Sequence, residues 1–493
     1  MDAQTLEQRL QELEQQTLLL EPTSLERLPV QQAVEAYAQS FLEDLPHLPV
    51  FVEMPDKGAA LLDSPIQEDG MPVQAALSLL QAHVDTPGIN PASGGHMGYI
   101  PGGGLYYSGL GDYLAAVTNR YAGIFYSSPG AVRMENMLIR WMAQEIGFPA
   151  DTSGNLTSGG SIASLIALVT ARDAQAITCR IIPDSVIYCT SHTHHCLDKA
   201  LRIAGLGECQ LRHVPMDAQY RMNPSALAQA IKEDTEAGLK PWLLIASAGT
   251  TDVGAVDPLP ELAAIAQQHQ LWYHVDAAYG GFFALCKAGK EKLKGIELAD
   301  SVVMDPHKGL FIPYGSGAVL IKNQNQLAKS HHYQASYMQD TLSVTGEVSP
   351  ADVSPELSKH FRGLRIWLPL KLHGIAPFRS ALEEKLLLAQ YTYQQLQALP
   401  GFEVPVAPDL SVLIFRYVPD AAIDANAFNQ NLIKAVQLDG RVFLSSTLLE
   451  GRFMIRFAIL SFRTHKATLD LALEILQQKA KELEAAWEQT TVC

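Results

Sequence analysis

From residue 185 to residue 321 the chain repeats one unit, a short apolar run followed by a longer stretch with helical spacing. The runs are 185–189, 209–214, 242–247, 272–275, 301–304 and 317–321, and amphipathic segments separate most of them. Runs this short and this apolar read as strands buried on both faces. Strands that alternate with helices build a mainly parallel sheet covered on both sides, and its ligands collect beyond the carboxyl ends of the strands. The repeat therefore sets the fold class as α/β and says where chemistry belongs.

The residues at those ends are reactive types. Ser191, His192, Thr193, His194 and His195 follow the first run; Gly249, Thr250 and Thr251 follow the third; Asp276, Ala277, Ala278, Tyr279 and Gly280 follow the fourth. After the fifth, Pro306 and Gly309 force a turn that presents His307 and Lys308. A lysine drawn out of solvent has a lowered pKa and serves as a Schiff-base nucleophile. Upstream, the small-residue turn 156–161 opens directly into a helical pattern over 162–172, and the N–H groups of such a start suit a phosphate. Its spacing is neither G-x-G-x-x-G nor G-x-x-x-x-G-K, so no dinucleotide or Walker loop is offered. Three histidines could hold a metal, but no H-E-x-x-H or Cys/His framework accompanies them. Each feature alone has an ordinary explanation: a surface lysine, a helix cap, a glycine-rich turn. Together they are what a phosphorylated, ring-bearing aldehyde cofactor requires.

The flanks add further expectations. Leu6, Leu10 and Leu13 at helical spacing and a second helical stretch at 34–42 read as an arm without its own core, lying on a partner subunit. Residues 87–104, dense in glycine and interleaved with His96, Tyr99 and Pro101, read as a pocket wall with close backbone approach at Gly102. Residues 333–357 are polar and without period, as in a mobile loop or lid. Helical patterns over 361–374 and 380–399 precede a strand, helix, strand, strand pattern at 410–417, 425–438, 442–446 and 452–458, then a last helix at 467–488. Arg456 sits among apolar neighbours, where an unpaired charge is costly, so a carboxylate partner is expected, from the chain or from a substrate. The division expected is an arm and pocket loop at 1–105, a large domain at 106–379 and a small α+β domain at 380–493.

Composition enters by exclusion. A formal charge of −16 with no long basic run argues against nucleic acid or an anionic membrane as partner. The polar start and the lack of a membrane-length apolar run place the chain in the cytoplasm. Six cysteines without C-x-x-C spacing argue against a zinc site or a disulfide framework.

With these residues assembled, residues 75–475 resemble the pyridoxal-phosphate-dependent amino acid decarboxylases, the group with aromatic amino acid, histidine-type and glutamate enzymes. The matching stretches are Ser128-Pro129, the turn at 157–161, His194 through Asp198-Lys199-Ala200, Gly249-Thr250-Thr251, the run 274–279, and Pro306-His307-Lys308. The resemblance implies a fold type I large domain with a mainly parallel seven-stranded sheet, a small C-terminal α+β domain, an N-terminal helical arm, a homodimer and an amino acid substrate. It implies pyridoxal 5'-phosphate held as a Schiff base by Lys308, with Asp276 on the pyridine nitrogen. His194 would lie over the ring and Ala278 beneath it, with Thr251 near its substituents. Gly159, Gly160, Ser161 and His307 would hold the phosphate. Tyr99 and Gly102 would face the substrate, and Arg456 falls where glutamate-type members grip a substrate carboxylate.

The chain departs from the pattern in places. Relatives commonly use a loop tyrosine to protonate the carbanionic intermediate, a step worth roughly 10²–10⁴-fold in rate, but residues 338–357 contain no tyrosine, which leaves Tyr337 and His194 as donors. Asp305 stands where an asparagine often meets the phosphate, and a carboxylate would repel it, so its side chain is expected to point elsewhere. The expected reaction is decarboxylation of an L-amino acid to its amine. The alternatives are an aldehyde synthase, lyase or transaminase of the same fold, or a catalytically silent cofactor-binding dimer.

Overall fold

The computed structural model describes residues 2–331, 347–419 and 423–491. The chain forms two compact units, Met1–Ser93 and Gly94–Cys493. In the first, helix Ala3–Thr17 is capped by Asp2, and helix Ser24–Asp44 opens with a reciprocal Thr23/Glu26 capping box. Neither helix buries a residue, and Leu6, Leu10 and Leu13 remain 49, 57 and 40% exposed, as expected of an arm without its own core. A short antiparallel pair, β1 (Phe51–Val52) with β2 (Gly88–Ile89), closes the unit.

The second unit is built on seven strands: β3 (Ser153–Thr157), β4 (Ser185–Cys189), β5 (Gln210–His213), β6 (Lys240–Ser247), β7 (Trp272–Asp276), β8 (Ser301–Met304) and β9 (Gly317–Ile321). Their order is β3-β9-β8-β7-β6-β4-β5. Strands β5, β4, β6, β7 and β8 run parallel, and β9 is antiparallel to both β8 and β3. This is the α/β architecture the alternation predicts. Successive residues of a strand face opposite ways, and the two cores divide accordingly. Val186, Tyr188, Leu244 and Val275 meet helices Pro129–Glu145, Pro224–Glu236 and Leu259–Gln268, while Ile187, Leu243, Ile245 and Trp272 meet helices Gly160–Ala174 and Cys196–Ile203. Chain order reverses between β4 and β6, which opens a crevice at their carboxyl ends.

Strand β3 is the element that periodicity misses. Gly154 and Asn155 are poor strand formers, and β3 exists because all five of its residues pair with β9. A methyl group on Gly154 would overlap the Val319 carbonyl, so the small residue lets the two backbones meet.

The C-terminal part carries β10 (Phe402–Glu403), β11 (Val412–Tyr417), β12 (Ser445–Leu449) and β13 (Arg452–Ala458), an antiparallel sheet ordered β10-β11-β13-β12. Phe415, Ile455 and Phe457 pack there against Phe428 and Leu432 of helix Ala425–Asp439 and Leu469 and Leu476 of helix Lys466–Thr491. The strand expected at 442–446 starts later, at β12, because Phe443 instead bridges His96 in the glycine-rich segment. Among the described residues no helix is long and apolar enough to cross a membrane.

One buried cation ties three elements together. Lys359 Nζ lies 2.8 Å from Glu135 Oε2 of helix Pro129–Glu145, and donates to Asn155 Oδ1 at 2.8 Å and to the Leu156 carbonyl at 3.0 Å on β3. The two charged side chains are 0 and 2% exposed.

Candidate active site

Loops at the carboxyl ends of β3, β4, β6, β7 and β8 enclose a cavity of about 400 Å³. Its wall includes Gly159, Gly160, Ser161, His194, Thr251, Asp276, Ala278, His307 and Lys308, every residue expected to hold the cofactor. Tyr99, Gly102 and Arg456 are not among the described residues that line it.

Lys308 sits in a single helical turn, Pro306–Gly309, that follows β8 directly; Pro306 starts the turn where a missing N–H costs nothing. Its Nζ lies 3.0 Å from Asp305 Oδ2. Burial pushes the ammonium down, but the Asp305 and Asp276 carboxylates outweigh it and hold Lys308 above the ordinary lysine value. The lowered pKa expected from burial is thus corrected by its neighbours. Asp276 ends β7 and accepts the Ala278 N–H through Oδ1 at 3.1 Å, which fixes the carboxylate at the strand end.

His194 follows β4. Its Nδ1 accepts the Cys196 N–H at 3.2 Å, so the neutral ring carries its proton on Nε2. Burial holds the imidazole below its ordinary value, which favours that neutral form. His192 stacks on Tyr220 at 5.6 Å, and His195 precedes helix Cys196–Ile203. The His194 and His195 rings lie 4.2 Å apart, but no metal-holding group of His, Cys, Asp or Glu occurs among the described residues. Of the described cysteines, Cys189, Cys196 and Cys286 are buried free thiols.

Opposite the lysine turn, helix Gly160–Ala174 begins with no side-chain cap, so its first N–H groups are free to meet an anion. Ser158, Gly159, Gly160, Ser161 and Ile162 face the cavity there. His307 donates from Nδ1 to the Ser316 carbonyl at 2.5 Å, and burial keeps its ring below the ordinary imidazole value. Asp305 corrects a second expectation. It does not point away from this cradle: a Cβ on Gly160 would stand 3.0 Å from Asp305 Oδ2, and the carboxyl group lines the cavity.

Arg456 has no carboxylate partner from the chain among its described bonds. It is 3% exposed, and its described bonds go to neutral oxygens: Nε to the Asp252 carbonyl at 2.8 Å, one amino group to Ser445 Oγ at 2.7 Å, the other to the Thr251 carbonyl. It thereby fixes the loop that presents Thr251. The backbone N–H of Tyr99 donates to the same Ser445 hydroxyl at 3.2 Å, and Tyr99 adopts a left-handed φ of 55°. Gly102 packs on the His307 and Lys308 carbonyls, the close approach the glycine-rich wall predicts. Tyr337 and most of the expected lid lie outside the described residues. The described remainder is seated, with Glu347 paired to Arg140 at 3.1 Å and the Leu357 carbonyl accepting from Tyr121 at 2.8 Å.

Sequence reasoning missed Ser247, Ser164 and Cys196 as wall residues: Ser247 ends β6, Ser164 lies near the start of helix Gly160–Ala174, and Cys196 opens helix Cys196–Ile203. The set fits a phosphorylated aromatic aldehyde: an uncapped helix start for the phosphate, an amine for the aldehyde, a carboxylate for a ring nitrogen, and small residues between them.

Residues 60–418 match the model of the pyridoxal-dependent decarboxylase conserved domain. The chain is 36% identical over 400 residues to an aromatic-L-amino-acid decarboxylase of Bacillus atrophaeus, covering 80% of this chain and 81% of that one. It is 30% identical over 398 residues to a phenylacetaldehyde synthase of Arabidopsis thaliana, covering 78% and 81%. A crystal structure of Oryza sativa TDC with PLP and tryptamine superposes with a TM-score of 0.86 at 25% identity, covering 94% of this chain and 99% of the other.

Proposed function

The chain belongs to the pyridoxal-dependent decarboxylase family, whose cofactor is pyridoxal phosphate, and on that premise we propose that it removes the α-carboxylate of an L-amino acid to release the amine. When bound, pyridoxal phosphate supplies an electrophilic aldehyde and a cationic ring that accepts the electron pair left by a broken Cα bond.

The chain's own residues divide the remaining work. Lys308, whose ammonium Asp305 and Asp276 stabilise, would provide the amine that anchors the aldehyde. Asp276 would keep a proton on the ring nitrogen and so sustain the ring as an electron acceptor. His194 and Ala278 would hold the ring, and the start of helix Gly160–Ala174 with His307 would receive the phosphate. Since residues 338–357 contain no tyrosine, Tyr337 and His194, the latter with its proton on Nε2, would be the candidates to return a proton to the substrate's Cα. What carries this reading is the convergence of Lys308, Asp276, His194 and an uncapped helix start on one cavity.

Incubating the purified protein with a panel of carboxyl-labelled L-amino acids tests it: labelled carbon dioxide and the matching amine are expected from at least one, and release from none would sink the proposal. A second reading, aldehyde formation, draws on the same tyrosine-free stretch and on the similarity to a phenylacetaldehyde synthase. Mass spectrometry of the product separates amine from aldehyde. We further propose a cytoplasmic homodimer, supported by the exposed leucines of the N-terminal helix; a monomeric mass in sedimentation would remove the dimer.

A further inference from the structure

Among the described residues, the hydrogen bonds that tie turn Pro306–Gly309 to anything beyond 305–311 end on one atom. That atom is the Ser316 carbonyl oxygen, which accepts from the His307 N–H at 3.3 Å and from His307 Nδ1 at 2.5 Å. Ser316 closes a tight turn whose middle residue, Gly315, has a left-handed φ of 93°. Against that turn lies the Arg365 guanidinium: Nη1 donates to the Tyr314 carbonyl at 2.9 Å and approaches Ser316 Oγ at 3.4 Å, and a Cβ on Gly315 would stand 3.2 Å from it. On its other edge Nε donates to Asp112 Oδ1 at 2.7 Å and Nη2 to Oδ2 at 2.5 Å, a bidentate pair with helix Tyr106–Thr118 that fixes the guanidinium plane. Arg365 and Asp112 are 11 and 29% exposed, and neither lines the cavity. An ion pair this close to solvent contributes little to stability. Its directional effect is larger, because a guanidinium locked in plane by a carboxylate holds whatever its free edge touches.

We propose that Asp112 and Arg365 are a positioning pair for the lysine turn: they fix residues 314–316, and the Ser316 carbonyl then sets His307 and, one residue on, Lys308. The inference rests on assigning this cavity to pyridoxal phosphate. The aldehyde and the phosphate would both meet residues of this turn, whereas the ring would meet Asp276, Ala278 and His194, which follow β7 and β4. Reacting groups must be held within about 0.5 Å of their productive places. A loosened turn therefore weakens the grip on the aldehyde and the phosphate and leaves the ring's contacts as they are.

The test compares two probes on the full-length, cofactor-free protein: pyridoxal phosphate, and 4-deoxypyridoxine, which has the ring but neither the aldehyde nor the phosphate. In Arg365→Met the dissociation constant for pyridoxal phosphate should rise about tenfold, the factor carried by one hydrogen bond from a charged group, while that for 4-deoxypyridoxine stays within about twofold. Borohydride trapping followed by mass spectrometry should find correspondingly less label on Lys308. Asp112→Asn should show the same selective loss, and adding it to Arg365→Met should add nothing, because the pair acts through one guanidinium. An equal rise for both probes would mean that the pair merely supports the fold, and it overturns the proposal, as does the absence of a rise in either variant. Losses that add in the double variant overturn it too. Wild-type protein that binds pyridoxal phosphate no tighter than 4-deoxypyridoxine removes the cavity's assignment, and the proposal with it. If Arg365→Met does not fold, Asp112→Asn with the same two probes decides alone.

Discussion

Replacing Lys359 with methionine keeps the length of the side chain and deletes its charge. Glu135 is then left 2% exposed with no counter-ion, and the acceptors Asn155 Oδ1 and Leu156 O lose their donor. Breaking a buried pair by removing one partner costs about 3–5 kcal/mol, or roughly a hundred- to a few-thousand-fold in the ratio of folded to unfolded protein. Adding Glu135→Leu removes the stranded charge as well and should restore most of the loss. Recovery should stay incomplete by about 1–3 kcal/mol, because Glu135 Oε1 also accepts the Gly363 N–H at 3.0 Å and leucine cannot. Urea unfolding followed by tryptophan fluorescence gives the three midpoints. Asn155 and Leu156 lie on the strand that runs into the 157–161 turn, so Lys359→Met should also weaken cofactor binding in equilibrium dialysis. A single variant within about 1 kcal/mol of wild type, or a double variant no more stable than the single, would refute the reasoning.

Two further outcomes follow from the site. Gly102→Ala puts a methyl group onto the His307 carbonyl and displaces the lysine turn, so covalent cofactor content should fall while the far-ultraviolet circular dichroism stays the same; full cofactor content in that variant would count against the packing argument. His194 has a folded pKa below its unfolded value of about 6.5. The unfolded chain takes that proton first as pH falls, so His194 contributes nothing to the pH dependence of stability above about 6.5 and removes stability below it. The acid limb of kcat/KM should accordingly lie below that value in wild type, and His194→Gln should lose the limb; a limb above it would contradict a buried neutral ring.

Much of this architecture is legible because each parallel strand is an unbroken apolar run that ends in polar residues. Strands β4, β8 and β9 occupy the residues the apolar pattern marks, and Asp276, Lys308 and His194 follow from being the reactive types at strand ends. What was not legible depends on partners distant in sequence. Strand β3 has weak local preference and forms through β9, and the 442–444 segment is drawn away from its expected strand by His96. The expectation of a lowered pKa for Lys308 failed in part for the same reason. Burial of Lys308 could be read from its apolar surroundings, but of the two carboxylates that reverse its effect Asp305 is local, three residues away, while Asp276 comes from the end of β7; two of the three oxygens that Arg456 meets are backbone atoms that sequence does not mark.

The pairing of β3 with β9 has a consequence for biosynthesis. The turn that would grip the phosphate leaves the ribosome about 160 residues before Gly317, the partner that aligns with Thr157. At 5–20 residues per second that is a delay of roughly 8–30 s. Through that interval the nascent chain carries half of a binding site on an unpaired, glycine-containing strand, and Lys308 itself emerges only near its end. Capture of the cofactor is therefore an event of late translation or after it, and a cell short of pyridoxal phosphate would be left holding finished chains rather than stalled ones.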